Sequence, residues 1–266
     1  MNICFIGFGN MAQAIAQRLC NLDKNYQITV TSPSLKHGTR DDGIITEPDN
    51  LKGIIKADLI ILAVKPAKMA EVLTEIKSKL PGSCLLISVA AGLKLDWLEK
   101  HCNEGQAIVR SMPNIPVMVG KGATPLIANR HVNEQQKRWA QELFLSAGII
   151  SWIDNENDID SFTALSGSGP AYVFLFLEAM IEAAKKLGLN QDLAKKFALQ
   201  TTAGAVEMAI HSQFPINELR KKVTSPAGTT AAAIAILEEQ GFTELLYAAM
   251  KAAQERAKEL SLSNSI

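Results

Sequence analysis

"NICFIGFGNMAQAI", residues 2–15, reads as a strand, a glycine turn and a helix in immediate succession. Asn2–Ile6 is apolar and strand-like. Gly7, Gly9 and Ala12 then fall at the GxGxxG/A spacing, and Met11, Ala14, Ile15, Arg18 and Leu19 recur with helical spacing over Asn10–Asn21. Each small residue has a steric task. Gly7 allows the tight turn, Gly9 leaves room for a pyrophosphate against the backbone, and Ala12 lets the helix pack close to the strand. The helix start adds unpaired N–H groups and positive potential. The spacing alone is a weak signal. Its context, strand before and helix behind, favours a dinucleotide site over a bare strand–helix turn.

The chain beyond it alternates. Gln27–Thr31 reads as a strand, Pro48–Lys56 as a short helix, and Asp58–Val64 ("DLIILAV") as a strand buried on both faces. Lys68–Leu80 is helical, Cys84–Val89 a strand, Asp96–His101 a short helix, and Ala107–Arg110 begins another strand. Ala123–Ala128, Asn133–Ser146 and Gly148–Trp152 extend the sheet. This order predicts an α/β fold, a doubly wound parallel sheet of the Rossmann kind. From about Ile159 strand signals stop. Pro170–Leu187, Gln191–His211, Ile216–Lys222, Pro226–Glu239 and Thr243–Leu260 read as helices, with stops at Gly188 and Gly241. The expected division is a dinucleotide-binding domain over residues 1–155 and an all-helical domain over 156–266. Ala171–Met180 is apolar almost all round, more than about 105 residues can bury alone, so the second half is expected to pack against another subunit. The polar tail Ser261–Ile266 is expected to fray.

Bulk properties narrow the function classes. The 266 residues carry 27 basic and 27 acidic side chains, a formal net charge of zero, which argues against a nucleic-acid partner. Met1–Ile6 lacks the basic start of a signal peptide, and the uncharged stretch Ser161–Leu177 is interrupted by Ser166–Pro170, so neither a leader nor a membrane span is expected. Four cysteines without a CxxC pair suit a reducing cytoplasm, and four scattered histidines offer no metal-ligand spacing.

The end of the second strand reads "VTSPS", residues 30–34. An NAD site usually carries an acid there for the ribose 2′-OH. Here hydroxyls stand instead, with Lys36, His37 and Arg40 downstream, which favours NADP(H) over NAD(H); Thr31–Ser34 also suit a plain turn. "LAVKP" (62–66), "SVAAG" (88–92) and "RSMPNIP" (110–116) end the next three strands and so line one crevice. In the second half, "VTSPAGTT" (223–230) joins a charged helix to an alanine-rich one. Ser225 could simply cap the helix. Alternatively, Ser225 and Thr230 hydroxyls and the N–H groups of Gly228–Thr230 could hold a carboxylate where the helix dipole favours negative charge.

The ordered set "FIGFGNMAQAI", "LAVKP", "SVAAG", "SMPNIP", "ALSGSGPAYVF" and "VTSPAGTT" resembles the pyrroline-5-carboxylate reductase family, from Ile3 to about Leu260. The resemblance implies NAD(P)H-dependent reduction of (S)-1-pyrroline-5-carboxylate to L-proline, with the helical half forming an intertwined dimer and dimers assembling into rings. It places the pyrophosphate at Ile6, Gly7, Phe8, Gly9, Asn10 and Met11. It sets Ser32 at the 2′-phosphate region and Asn50 at the adenosine side. Ala63, Val64, Lys65 and Pro66 fall at the ribose and nicotinamide side, and Met112, Pro113 and Asn114 near the nicotinamide. Ser225, Gly228, Thr229 and Thr230 would hold the substrate carboxylate, with Thr163 near the imine nitrogen and Thr163 and Thr230 as the catalytic pair. Ala227 departs from the glycine pair expected after Ser-Pro. The trap could serve a partner subunit's cofactor. No motif offers a general base, and imine reduction needs none, because the cofactor carries the hard step and the protein positions. Two rivals stand beside this reading: an imine or 3-hydroxyacid reductase of the same build, whose proton donor would be Lys185 or Lys186, and a non-catalytic dinucleotide-binding regulator.

Overall fold

The computed structural model describes residues 1–22 and 26–263. Among the described residues nine strands form one sheet: β1 (Asn2–Ile6), β2 (Gln27–Thr31), β3 (Gly38–Thr39), β4 (Ile45–Glu47), β5 (Leu59–Leu62), β6 (Leu85–Ser88), β7 (Ala107–Ser111), β8 (Gly122–Ala128) and β9 (Gly148–Trp152). Their order is β3-β4-β2-β1-β5-β6-β7-β8-β9. Strands β4, β2, β1, β5, β6 and β7 run parallel, while β3 pairs antiparallel with β4 and β8 antiparallel with β7. The chain leaves β1 toward β2 on one side and later returns to β5 on the other. The crevice at the carboxyl ends of β1 and β5 is therefore the switch point at which such sheets bind ligands.

Alternation along each strand explains why these runs are apolar throughout. Ile3, Phe5, Ile28, Val30, Ile61, Ile87 and Val109 join the core on one face, with α1 (Asn10–Cys20) and α5 (Glu134–Leu145). Cys4, Ile6, Ile60, Leu62, Leu86 and Ile108 join the core on the other, with α3 (Pro66–Ile76) and α4 (Leu95–His101) and the end of α2 (Asn50–Ile54). All four cysteines are free thiols, and burial pushes Cys4, Cys84 and Cys102 up to about 12.

Three features depart from the sequence expectation. The β3–β4 hairpin lies in a stretch without apolar periodicity. A 3₁₀ segment, Ile115–Val119, follows the "SMPN" loop. A helical entry, α6 (Asp158–Phe162), leads into a π-helical turn, Thr163–Gly167, before α7 (Gly169–Lys186). The remaining helices are α8 (Gln191–His211), α9 (Ile216–Lys222), α10 (Thr229–Glu239) and α11 (Phe242–Ser263).

The chain divides into two compact units: Met1–Pro170 with the C-terminal residues from Ala253 onward, and Ala171–Ala252. Packing thus keeps residues 156–170 with the sheet. Residues 156–170 are fastened to the sheet: Glu156 Oε1 accepts from Arg110 Nη1 at 2.6 Å and Asn114 Nδ2 donates to the Ser166 carbonyl at 2.8 Å. Gln254 Nε2 in α11 donates to Ser161 Oγ at 2.7 Å, which returns the last helix to the first unit. The fraying expected from Ser261 is corrected: Ser261 is helical and buried, its Oγ donating to the Ala257 carbonyl. The end of that tail, 264–266, lies outside the described residues.

In the second unit large apolar side chains face outward. Val173, Phe174, Leu175 and Phe176 are exposed along α7, and Leu177 is its buried residue. Residues 158–186 are long and apolar enough to cross a membrane by length and composition, and little of that run is buried within the chain.

Candidate active site

The glycine turn is built from two differently constrained glycines. Gly7 has φ +91°, and a Cβ there would lie 2.8 Å from the Ala63 carbonyl oxygen and 3.0 Å from Val64 Cγ1. Fold packing alone demands glycine at this position. At Gly9, the N-cap of α1, φ is −80° and an added Cβ would meet nothing within 4 Å. Nothing in the protein requires glycine there, so the open side of Gly9 fits the approach of a ligand. The start of α1 has no side-chain cap and no acid in its first turn. The N–H groups of Asn10 and Met11 have no partner among the described residues, and free helix-start amides of this kind suit an anion. Ala12, within α1, is buried in the core.

A cavity of about 340 Å³ opens beside this turn, lined among others by Ile6, Gly7, Ser32, Asn50, Val64 and Lys65. Asn50 spends its amide internally: Oδ1 accepts from Thr31 Oγ1 at 2.6 Å, and Nδ2 donates to Glu75 Oε2 at 2.8 Å. It shapes the cavity wall and fixes the end of β2. Ala63 bonds the Ile6 carbonyl at 2.8 Å, Lys65 is the N-cap of α3, and Pro66 opens that helix. The end of β2 does have an acid nearby, which the linear sequence hid: Glu47 on β4 pairs in register with Thr31. Its carboxylate is occupied, accepting from the Asp49 N–H at 3.2 Å and lying 2.9 Å from His37 Nδ1. Ser32 Oγ lies 3.1 Å from Ser34 Oγ at the surface.

At the far end of the crevice, Asn114 is a bracket. Its Oδ1 accepts from the Ala123 N–H at 2.9 Å and its Nδ2 holds the Ser166 carbonyl. That bond ties the "SMPN" loop to the π-helical turn. A Cβ on Gly167 would lie 3.3 Å from Met112 Cε and 3.6 Å from Thr163 Cγ2, so Met112, Gly167 and Thr163 form one patch. Gly169, by contrast, meets nothing. Pro113 is buried beside this bracket. Thr163 is half-buried, and its hydroxyl donates to the Ile159 carbonyl at 2.8 Å, leaving its lone pairs to accept. Behind the patch, Arg110 is 2 % exposed and pairs with Glu156, which also accepts from the Leu95 N–H at 2.8 Å. Burial pushes the Asp160 carboxyl above its ordinary range, and Arg110 opposes that shift. Arg18 holds the 3₁₀ segment from α1, donating to the Met118 carbonyl at 2.9 Å and the Val117 carbonyl at 3.3 Å. Its long-range role left no mark in the sequence.

The motif at 223–230 lies in the second unit. The helix begins at Thr229, later than the Pro226 expected, and Gly228 is its N-cap without a side-chain cap bond. Ser225 therefore does not cap α10. The Gly228 N–H donates to the Ser225 carbonyl at 3.1 Å, closing the turn before the helix. The N–H groups of Thr229 and Thr230 have no partner among the described residues, and the first turn holds no acid. A Cβ on Gly228 would sit 2.3 Å from Ser225 Oγ, so glycine is what lets that hydroxyl fold over the helix start. Ala227 has φ +57°, a left-handed conformation that costs an L-residue about 1–2 kcal/mol. The turn is braced from both flanks, because Arg220 Nη1 in α9 pairs with Glu238 Oε1 in α10 at 2.7 Å. Lys185 is engaged with Glu182 at 2.8 Å on α7. Among the described residues no group of three or more metal-ligating side chains occurs.

Residues 156–260 match the family model described as pyrroline-5-carboxylate reductase dimerisation, and residues 2–92 match that of the coenzyme F420-dependent NADP oxidoreductases. The pyrroline-5-carboxylate reductase of Pseudomonas aeruginosa is 39 % identical, covering 97 % of this chain and 96 % of that protein. The solved structure of a pyrroline-5-carboxylate reductase from Coxiella burnetii is 41 % identical with a TM-score of 0.90, covering 98 % of both chains. The Plasmodium falciparum pyrroline carboxylate reductase with NADP bound is 36 % identical with a TM-score of 0.88, again covering 98 % of both.

Proposed function

The chain belongs to the pyrroline-5-carboxylate reductase family, and from that premise we propose how its residues divide the work. The reaction is NADPH-dependent reduction of 1-pyrroline-5-carboxylate to L-proline, the reducing step of proline biosynthesis. Residues 1–155 serve as the cofactor-binding domain and 156–266 as the dimerisation and substrate-binding domain. The chain self-associates. We take the assembly to be a dimer or a ring of dimers, and the location to be cytoplasmic, in keeping with four free thiols.

The cofactor cradle fits a dinucleotide: an open Gly9, an uncapped α1 start and the adjoining cavity. Asn10 and Met11 N–H groups would receive the pyrophosphate. Ser32 and the Asn50 wall would face the adenosine half. Val64–Pro66 would flank the nicotinamide riboside, and Met112–Asn114 the nicotinamide. When bound there, the reduced nicotinamide supplies the hydride.

The observation that carries the substrate reading is the uncapped start of α10 under the Ser225 hydroxyl. Thr229 and Thr230 N–H groups, with the Ser225 and Thr230 hydroxyls, would grip the substrate carboxylate. Such charge-assisted bonds contribute about 1.5–3 kcal/mol each, enough for two or three to hold so small a ligand. Thr163 already donates its proton to Ile159, so it would accept from the N–H of the protonated imine and orient the ring. Water supplies that proton before hydride arrives. Lys185, late in α7 and paired with Glu182, has no part in this scheme.

The test is NADPH oxidation with pyrroline-5-carboxylate against a panel of keto acids, with proline identified as product. Ser225→Ala combined with Thr230→Ala should raise KM for the imine by about 100-fold or more and leave NADPH affinity within a small factor. Turnover of keto acids in preference to the imine would overturn the reading.

A further inference from the structure

The β3–β4 hairpin is an arm built onto the end of β2. The Ser32 N–H donates to the Glu47 carbonyl at 3.2 Å, and Thr46 Oγ1 donates to the carbonyls of Lys36 and Gly38 at 2.7 and 3.2 Å. The tip is a tight turn: Gly43 N–H to the Arg40 carbonyl and Arg40 N–H to the Ile44 carbonyl, both 2.9 Å, with Gly43 at φ +81°. Three basic side chains lie on this arm. His37 is held against Glu47, and Lys36 projects into solvent. Arg40 is folded over the glycine turn, its Cζ 5.4 Å from the centroid of the Phe8 ring.

The guanidinium is thereby oriented before any ligand arrives. Its charge stands over the Phe8 ring, and its Nε–Nη2 edge meets the Asp42 carboxylate at 3.1–3.3 Å. An edge that binds a carboxylate in this way matches a phosphate equally well. The Asp42 pair is partly exposed, 42 % and 30 %, so it is weak and exchangeable. In this class of sheet the adenosine ribose lies at the end of the second strand, where an acid selects the 2′-OH and an arginine the 2′-phosphate. The nearby acid, Glu47, is already engaged by His37 and the Asp49 N–H.

We propose that Arg40, oriented by Phe8, is the residue that selects the cofactor's 2′-phosphate, exchanging Asp42 for it. This inference rests on the reading that a dinucleotide fills the β1–β5 crevice. Calorimetric titration of the whole protein with NADP⁺, NAD⁺ and 2′-AMP tests it without turnover. Arg40→Ala should lower the ratio of NADP⁺ to NAD⁺ affinity by about 10- to 100-fold, and Arg40→Lys should restore part of it. Asp42→Asn keeps the acceptor for the Ile44 N–H, seen at 3.3 Å, while removing the competing charge. It should tighten NADP⁺ and 2′-AMP by about two- to fivefold. An unchanged ratio in Arg40→Ala, an equal fall for both dinucleotides, or a wild-type preference for NAD⁺ would overturn the proposal. Imine turnover by the wild-type protein, assayed with each reduced cofactor, reports separately on the reductase reading.

Discussion

Phe5 and Phe174 mark the contrast between the two units. Phe5 is 0 % exposed, on a strand packed on both faces; Phe174 is 60 % exposed, on a helix that is apolar almost all round. The first unit holds nearly all of the buried apolar side chains, although Ile55, Val119 and Ile149 are exposed on it. The second leaves many exposed, among them Val173, Met208, Ile210 and Leu245, and apolar side chains of that kind are what a subunit interface buries. The same contrast holds at ligand level. The proposed cofactor cradle is framed by a sheet edge, whereas the proposed carboxylate trap is a short turn carried by helices with exposed apolar side chains.

The largest test of that difference is Phe174→Asp. On a free surface it would change stability by no more than about 0.5 kcal/mol. At a subunit interface it should weaken association by at least about 100-fold and take activity with it, as read by sedimentation and assay. An unchanged sedimentation profile would break the comparison. Next is Gly228→Ala, whose Cβ would collide with Ser225. A fall of about 100-fold in kcat/KM for the imine is expected, mostly in KM, with the cofactor-binding half unaffected in NADP⁺ titration. The glycine turn sharpens the contrast within the first unit. Gly7→Ala should cost about 2 kcal/mol of stability, because the position is strained and crowded. Gly9→Ala should leave the melting transition nearly unmoved and weaken NADP⁺ binding about tenfold. If both variants behaved alike, the separation of packing glycine from ligand glycine would fail. The smallest effect is expected from Ala227→Gly, which relieves the left-handed strain and stabilises by about 0.5–1 kcal/mol net of glycine's greater chain entropy.

Much of this was readable in the linear sequence, for identifiable reasons. Strands buried on both faces must be apolar throughout, so "DLIILAV" and its neighbours announced the sheet. The helix spans of the second half followed from periodicity and glycine stops. Legibility ended where a residue's role depends on a partner far along the chain. Arg18 reaches Met118, and Glu47 arrives beside Thr31 only because β4 pairs with β2. Asn50 and Asn114 stand in the motifs expected at the cofactor, yet their amides are spent holding Thr31, Glu75, Ser166 and Ala123. A motif marks a place in the fold; it does not say whether a side chain faces the ligand or fastens the loop that does.

Order and period along the chain thus sufficed for the class of fold, the crevice edge and the helical second half, because each depends on near neighbours; the family came from the resemblance carried by its motifs. Tertiary structure alone decided that Ser225 leaves α10 uncapped, that the Gly228 N–H is consumed in its own turn, and that the Arg40 charge stands over the Phe8 ring with its edge toward a carboxylate. Those outcomes depend on ångström-scale competition for hydrogen-bond partners across distant segments, and residue spacing carries no record of who wins it.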